Sequence, residues 1–115
     1  MSANEDLPIE IVENAGGIVL KPDGDIDLSR APSLRTQIGS AFEGGPGRMI
    51  IDLGKVPYMD SSGVATLVEA MQIANRSQCT FILTGLQERV RSIFEIARLD
   101  TVFTIAESLE AAEGM

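Results

Sequence analysis

Residues 49–75 read MIIDLGKVPYMDSSGVATLVEAMQIAN, and the change of period inside this stretch decides the fold. Met49-Ile50-Ile51 is an apolar run that suits a buried strand ending at Asp52-Leu53. Residues 54–57 hold a glycine and a proline and break it. Val64, Leu67, Val68 and Met71 then recur at helical spacing, which predicts a helix with these four residues on its buried face. Between strand and helix stands the polar tetrad Asp60-Ser61-Ser62-Gly63. A serine at the first turn of a helix meets free N–H groups and the positive end of the helix dipole, a place that favours negative charge such as a phosphate.

Upstream, Ile9-Glu10-Ile11-Val12-Glu13 alternates and Ile18-Val19-Leu20 is apolar, with the turn signal Asn14-Ala15-Gly16-Gly17 between them. This predicts a hairpin over residues 9–25. Pro22 cannot donate to a ladder, so the second strand is at an edge there or already ending. Residues 1–6 are polar and are expected to be disordered or loosely attached. From Leu28 onward, Leu28, Ala31, Leu34, Ile38, Ala41 and Phe42 share one helical face, with Ser29 and Pro32 as start signals and Gly44-Gly45-Pro46-Gly47 as the stop.

Downstream, residues 80–84 read as a strand, and Val90, Ile93, Phe94 and Ala97 mark a further amphipathic helix. Residues 102–105 read as a last strand, and Ser108 starts a C-terminal helix. The order β-β-α-β-α-β-α-β-α implies an α/β fold. The expected architecture is a single domain over residues 1–115, with a central mixed sheet of four to five strands and helices chiefly on one side.

Composition removes several functions. The chain has 115 residues, a formal charge of −8, one cysteine and no histidine. The acidic balance argues against nucleic acid and against an anionic membrane surface, and favours a protein partner with a basic face. Without histidine there is no Ser-His-Asp or Cys-His catalysis, and with Cys79 alone there is no intrachain disulfide or multi-cysteine metal site. Lys21 and Lys55 are the only lysines that a Ser-Lys mechanism could use, and neither sits in a supporting motif. The pairs Asp25 with Asp27 and Asp52 with Asp60 could bind Mg²⁺, but solvated loop acids are the commoner explanation. No cofactor, metal or enzymatic activity is expected. No signal peptide or membrane-length apolar run is visible, and a cytoplasmic location is expected.

On pattern alone the tetrad also reads as a helix cap, with Gly63 relieving crowding where the helix meets the strand. A resemblance shifts the weight. Val56-Pro57-Tyr58-Met59 followed by Asp60-Ser61-Ser62-Gly63-Val64 resembles the phosphorylation segment of bacterial anti-sigma-factor antagonists, the STAS-domain family. Gly24-Asp25-Ile26-Asp27 resembles the family's Gly-Glu-Leu-Asp segment, and Ile51-Asp52-Leu53 its central strand. Phe81-Ile82-Leu83, with Val90, Ile93-Phe94 and Leu99, resembles its later strand and helix. Pro22 and the turn Asn75-Arg76-Ser77-Gln78, which lacks the glycine of many relatives, depart from it.

The resemblance implies a switch. Ser61 is the position phosphorylated by a cognate anti-sigma factor that is also a serine kinase, and a PP2C-type phosphatase resets it. Unphosphorylated, the protein sequesters the anti-sigma factor and a sigma factor is released. Partner binding is carried over to Asp27, Asp60, Ser61, Ser62 and Gly63, in a monomer or weak dimer. The alternative roles in the family are a STAS subunit of a lipid-transport ABC complex or of a stress-signalling assembly.

Overall fold

The computed structural model describes residues 5–14 and 16–115. Strands β1 (Ile9–Asn14), β2 (Gly17–Pro22), β3 (Arg48–Asp52), β4 (Thr80–Thr84) and β5 (Thr104–Ala106) lie side by side in chain order. β1 runs antiparallel to β2, and β2, β3, β4 and β5 run parallel to one another. Helices α1 (Ala31–Glu43), α2 (Ser61–Arg76) and α3 (Glu88–Ile96) form the crossovers, and α4 (Leu109–Glu113) follows the last strand. When successive right-handed crossovers step one way across a sheet, their helices land on the same face. This is the expected mixed sheet, with five strands.

The strand sequences explain the layering. Ile18, Leu20, Met49, Ile51, Phe81 and Leu83 join the large cluster formed with α1, α2 and α3. The residues between them, Val19, Ile50 and Ile82, are cross-strand neighbours on the other face and pack with Ala106 of β5 and with Leu109 and Ala112 of α4. Strands covered on both faces must be apolar at every position, which is why β3 and β4 read as continuous runs. Phe94 and Phe103 meet edge to face at 5.4 Å in the large cluster. Among the described residues no helix is long and apolar enough to cross a membrane.

Pro22 proves compatible with its strand. It is the last residue of β2 and pairs with Ile9, while the β2–β3 ladder has already ended at Leu20↔Ile51. Asp23 donates its N–H to the Pro8 carbonyl at 2.9 Å, which brackets Ile9↔Pro22 as a pair without direct hydrogen bonds. The missing donor therefore points to the side where no partner strand remains.

Several expectations are corrected. Leu28 is not in α1; the helix starts at Ala31 and Leu28 is 75 % exposed. Asp27 caps the approach instead, taking the N–H groups of Ser29 and Arg30 on its carboxylate, so Leu28 sits in the turn before the helix. In α2 the fully buried line is Gly63, Thr66, Leu67, Ala70 and Ala74, whereas Val64, Val68 and Met71 are half-buried along its flank. Small residues face the sheet because the helix lies close to it. Ala97 is exposed just past α3. The last strand is Thr104–Ala106, because Leu99–Thr101 forms a 3-10 turn and leaves Val102 exposed. Of the segment 1–6, residues 1–4 lie outside the described residues, while Glu5 donates its N–H to the Ser29 carbonyl at 2.8 Å. Ala15 of the expected hairpin turn also lies outside them, and Asn14 pairs with Gly17 across that position.

Candidate functional site

The chain leaves β3 at Asp52 and reaches α2 through residues 53–60. This loop is held against the segment after β2 by two isolated parallel bridges, Asp23↔Lys55 and Ile26↔Met59. Ile26 donates its N–H to the Tyr58 carbonyl at 3.0 Å, and Asp60 donates to the Ile26 carbonyl at 3.1 Å. Beyond the sheet proper, the two loops thus run together and bring Asp27 beside Asp60.

Asp60 is the N-cap of α2, with extended backbone at φ −98° and ψ −173°. Its Oδ1 accepts the N–H of Ser62 at 2.9 Å and of Gly63 at 3.3 Å, and also the Ser62 hydroxyl. Its Oδ2 accepts the Leu28 N–H at 3.1 Å, which ties the helix start to the turn before α1. Burial pushes the Asp60 carboxyl up, but the Ser62 hydroxyl and the N–H groups of Gly63, Ser62 and Leu28 outweigh it and hold the pKa below the ordinary value. Asp27 is likewise lowered, first by the Ser29 hydroxyl at 2.8 Å, against desolvation, then by the Arg30 and Ser29 N–H groups and the Arg30 charge. Both carboxylates are engaged with the backbone as caps. Asp52, the other acid considered for a cation, takes the Gly54 N–H at 2.9 Å.

The serines differ in kind. Ser62 is half-buried and its hydroxyl is occupied by Asp60. Ser61, the first residue of α2, is exposed, and among the described residues its hydroxyl has no hydrogen-bond partner within the molecule. Gly63 is buried. A Cβ on it would stand 2.6 Å from Met59 Cγ and 2.9 Å from Ile26 Cγ2, so its lack of a side chain lets the helix start press against residue 26. Among the five residues carried over by resemblance, Ser61 is thus presented to solvent, Asp27, Asp60 and Ser62 build its support, and Gly63 lies beneath.

One expectation about charge changes. The first-turn N–H groups of Ser62 and Gly63 are already taken by Asp60, and that of Val64 by the Asp60 carbonyl at 3.1 Å. A negative group on Ser61 would feel the helix dipole but would find these donors occupied and a carboxylate alongside.

Sequence reasoning missed the ground around Ser61. Tyr58, Met59, Ser61, Val64, Ile93 and Ala97 line an open, mostly apolar trough of about 460 Å³ between α2 and α3. Arg89 stands over the Tyr58 ring, 5.8 Å from its centre. Ile93 and Ala97 keep helical spacing with Val90, but α3 ends at Ile96 and leaves Ala97 exposed just past it, while Ile93 is half-buried on the helix flank. The exposed Leu28 could have been found, since the Asp-x-Ser spacing of Asp27 and Ser29 is a turn signal in itself.

Comparison with known proteins gives a consistent outcome. The STAS domain family model matches residues 8–112. The chain is 25 % identical over 104 residues to an anti-sigma-B factor antagonist of Staphylococcus epidermidis, covering 90 % of this chain and 96 % of that one. Among solved structures, an anti-sigma factor antagonist from Mycobacterium paratuberculosis superposes with a TM-score of 0.86 at 23 % identity, covering 94 % of this chain and 92 % of the other. The Bacillus cell fate determinant SpoIIAA in its phosphorylated form superposes with a TM-score of 0.70 at 24 % identity, covering 94 % of this chain and 97 % of the other. At these identities the two structures bear on the fold.

Proposed function

The chain belongs to the STAS domain family, and from that premise we propose that it is an anti-sigma factor antagonist switched by phosphorylation of Ser61. In the unphosphorylated state it binds a cytoplasmic anti-sigma factor with serine kinase activity, and so releases a sigma factor. Phosphate on Ser61 ends the complex, and a PP2C-type phosphatase restores it. The chain acts as a binding module and substrate, with no catalytic residue of its own.

The observation that carries this reading is the contrast between the two serines. Ser61 presents a free hydroxyl at an exposed helix start, whereas Ser62 spends its hydroxyl on the Asp60 cap. A kinase can reach the first and would have to dismantle the cap to reach the second. The apolar trough of Tyr58, Val64 and Ile93 beside Ser61 gives a partner something to bury. Phosphorylation adds about −1.5 to −2 charges next to Asp60, where the N–H groups of Ser62 and Gly63 are already engaged. A partner seated over this point would have to desolvate that charge without a counter-charge, so binding is lost while the fold stands.

The test is incubation with the cognate anti-sigma factor and ATP, followed by peptide mass spectrometry. Phosphate is expected on Ser61 and absent from Ser61→Ala; phosphate on Ser62 with Ser61 unmodified would refute the assignment. By calorimetry, Ser61→Asp is expected to lose about 2–5 kcal/mol of affinity for the anti-sigma factor. Its folding stability should change by no more than about 1 kcal/mol. A variant binding as tightly as wild type would place Ser61 outside the interface.

A further inference from the structure

We propose that the free edge of β1 is a docking edge for an extended basic peptide segment of another protein, which joins the sheet as an additional strand. The proposal stands apart from the Ser61 switch. Among the described residues β1 ends the strand order and pairs with β2 alone. Every residue of β1 after Ile9 is exposed.

The phase of the ladder fixes which groups are free. Because Ile9↔Pro22 is a pair without direct hydrogen bonds, Glu10, Val12 and Asn14 bond to β2. The N–H and C=O groups of Ile9, Ile11 and Glu13 then face away from the sheet, and among the described residues they meet no backbone partner. Sheet edges are usually blunted by proline, by charged side chains, lysine above all, or by a bulge. The strand sequence IEIVEN holds no proline or lysine, and its register runs unbroken from Ile9↔Pro22 to Asn14↔Gly17, which excludes a bulge; its charges are Glu10 and Glu13, which repel an acidic strand but not a basic one.

Charge selects the occupant. The edge reads Glu10-Ile11-Val12-Glu13, with Ile11 47 % and Val12 37 % exposed. Glu10 lies opposite Lys21, whereas Glu13 lies opposite the apolar Ile18. At the end of the strand Asn14 bonds to Glu113 and Arg48, and Arg48 also holds the Glu113 carbonyl. A second copy of this chain fits poorly. Antiparallel pairing through the free groups matches odd-numbered residues with odd, so Ile11 opposite Ile11 sets Glu10 against Val12 and Glu13 against Ile9. Both carboxylates then cover apolar side chains, between two chains of net charge −8. A Lys-Val-Val-Lys segment instead sets a lysine against each glutamate and valines against Ile11 and Val12, in either strand direction.

The test titrates the ¹⁵N-labelled full chain with acetyl-Thr-Lys-Val-Val-Lys-Thr-amide. Saturable amide shifts are expected in residues 9–14, with slowed exchange of the Ile11 and Glu13 N–H groups. Binding should weaken about tenfold or more for the glutamate-for-lysine peptide, and likewise for the Glu10→Gln/Glu13→Gln chain. A backbone N-methylated peptide should not bind. Absence of saturation, shifts centred elsewhere, or equal binding of the acidic peptide would overturn the proposal. Concentration-dependent shifts in β1 without peptide would assign the edge to a second copy and overturn it as well.

Discussion

Replacing Asp60 by alanine removes one carboxylate and releases four donors at once: the N–H groups of Ser62, Gly63 and Leu28 and the Ser62 hydroxyl. Loss of an N-cap costs about 1 kcal/mol, within a range of 0.5–2. The Leu28 bond is partly solvated and adds about 0.5 kcal/mol. Asp60→Ala is therefore expected to lower folding stability by about 1.5 kcal/mol, or about 5–8 °C in Tm for a chain of this size. Asp60→Asn keeps an acceptor at the cap and forfeits only the charge, so it should cost about 0.5 kcal/mol.

The two variants separate further with pH. The folded-state pKa of Asp60 is depressed, so its ionised form stabilises the fold above the unfolded value of about 3.9. That stabilisation is lost as pH falls through the folded value. Below about pH 4, wild type should lose ground relative to Asp60→Asn, and the gap between them should narrow. Urea unfolding followed by circular dichroism at pH 7 and across the acid range measures both effects. An Asp60→Ala variant within about 0.3 kcal/mol of wild type would refute the capping account. Equal losses for alanine and asparagine would show that charge alone matters.

Two further outcomes follow from backbone geometry. Gly63→Ala gains helix propensity of about 1 kcal/mol but drives a methyl into Met59 and Ile26, at a cost of about 1–3 kcal/mol. Net destabilisation of about 1 kcal/mol is expected in denaturant unfolding, with amide shifts at both residues 26–28 and 58–61; a stabilised variant would show that the loops are not packed as described. Gln78→Gly should stabilise by about 0.5–1 kcal/mol, because Gln78 holds φ at +56° just past α2, where the Cys79 N–H closes the helix end on the Ala74 carbonyl at 2.9 Å. A drop in Tm would refute that strain.

The glycine-free turn after α2 illustrates how sequence and structure divide the information. The absence of glycine at residues 75–78 is visible in the string, but the left-handed residue at Gln78 is a consequence of where α2 must stop to start β4. Pro22 is similar. Its missing donor was legible as a local fault, yet it is harmless because β3 ends short of it, a fact about a strand some thirty residues away.

What the amino-acid sequence determined by itself was the element order and the position of the Asp-Ser-Ser-Gly segment at the start of α2. Those follow from local physics: apolar runs for strands covered on both faces, helical spacing in the crossovers, and an Asp-Ser pair at a helix start. Burial within α2 was only half legible. Spacing located a face, but the close approach to the sheet turned it toward Gly63, Thr66 and Ala70 and left Val64, Val68 and Met71 on its flank. The division of labour between Ser61 and Ser62 lay beyond the sequence, because two adjacent serines are equivalent until backbone geometry aims one hydroxyl at Asp60 and the other at solvent. The joining of residues 26–28 to residues 58–60, and with it the setting of Ser61, belongs to the tertiary structure alone, since no local rule brings together loops that lie thirty residues apart.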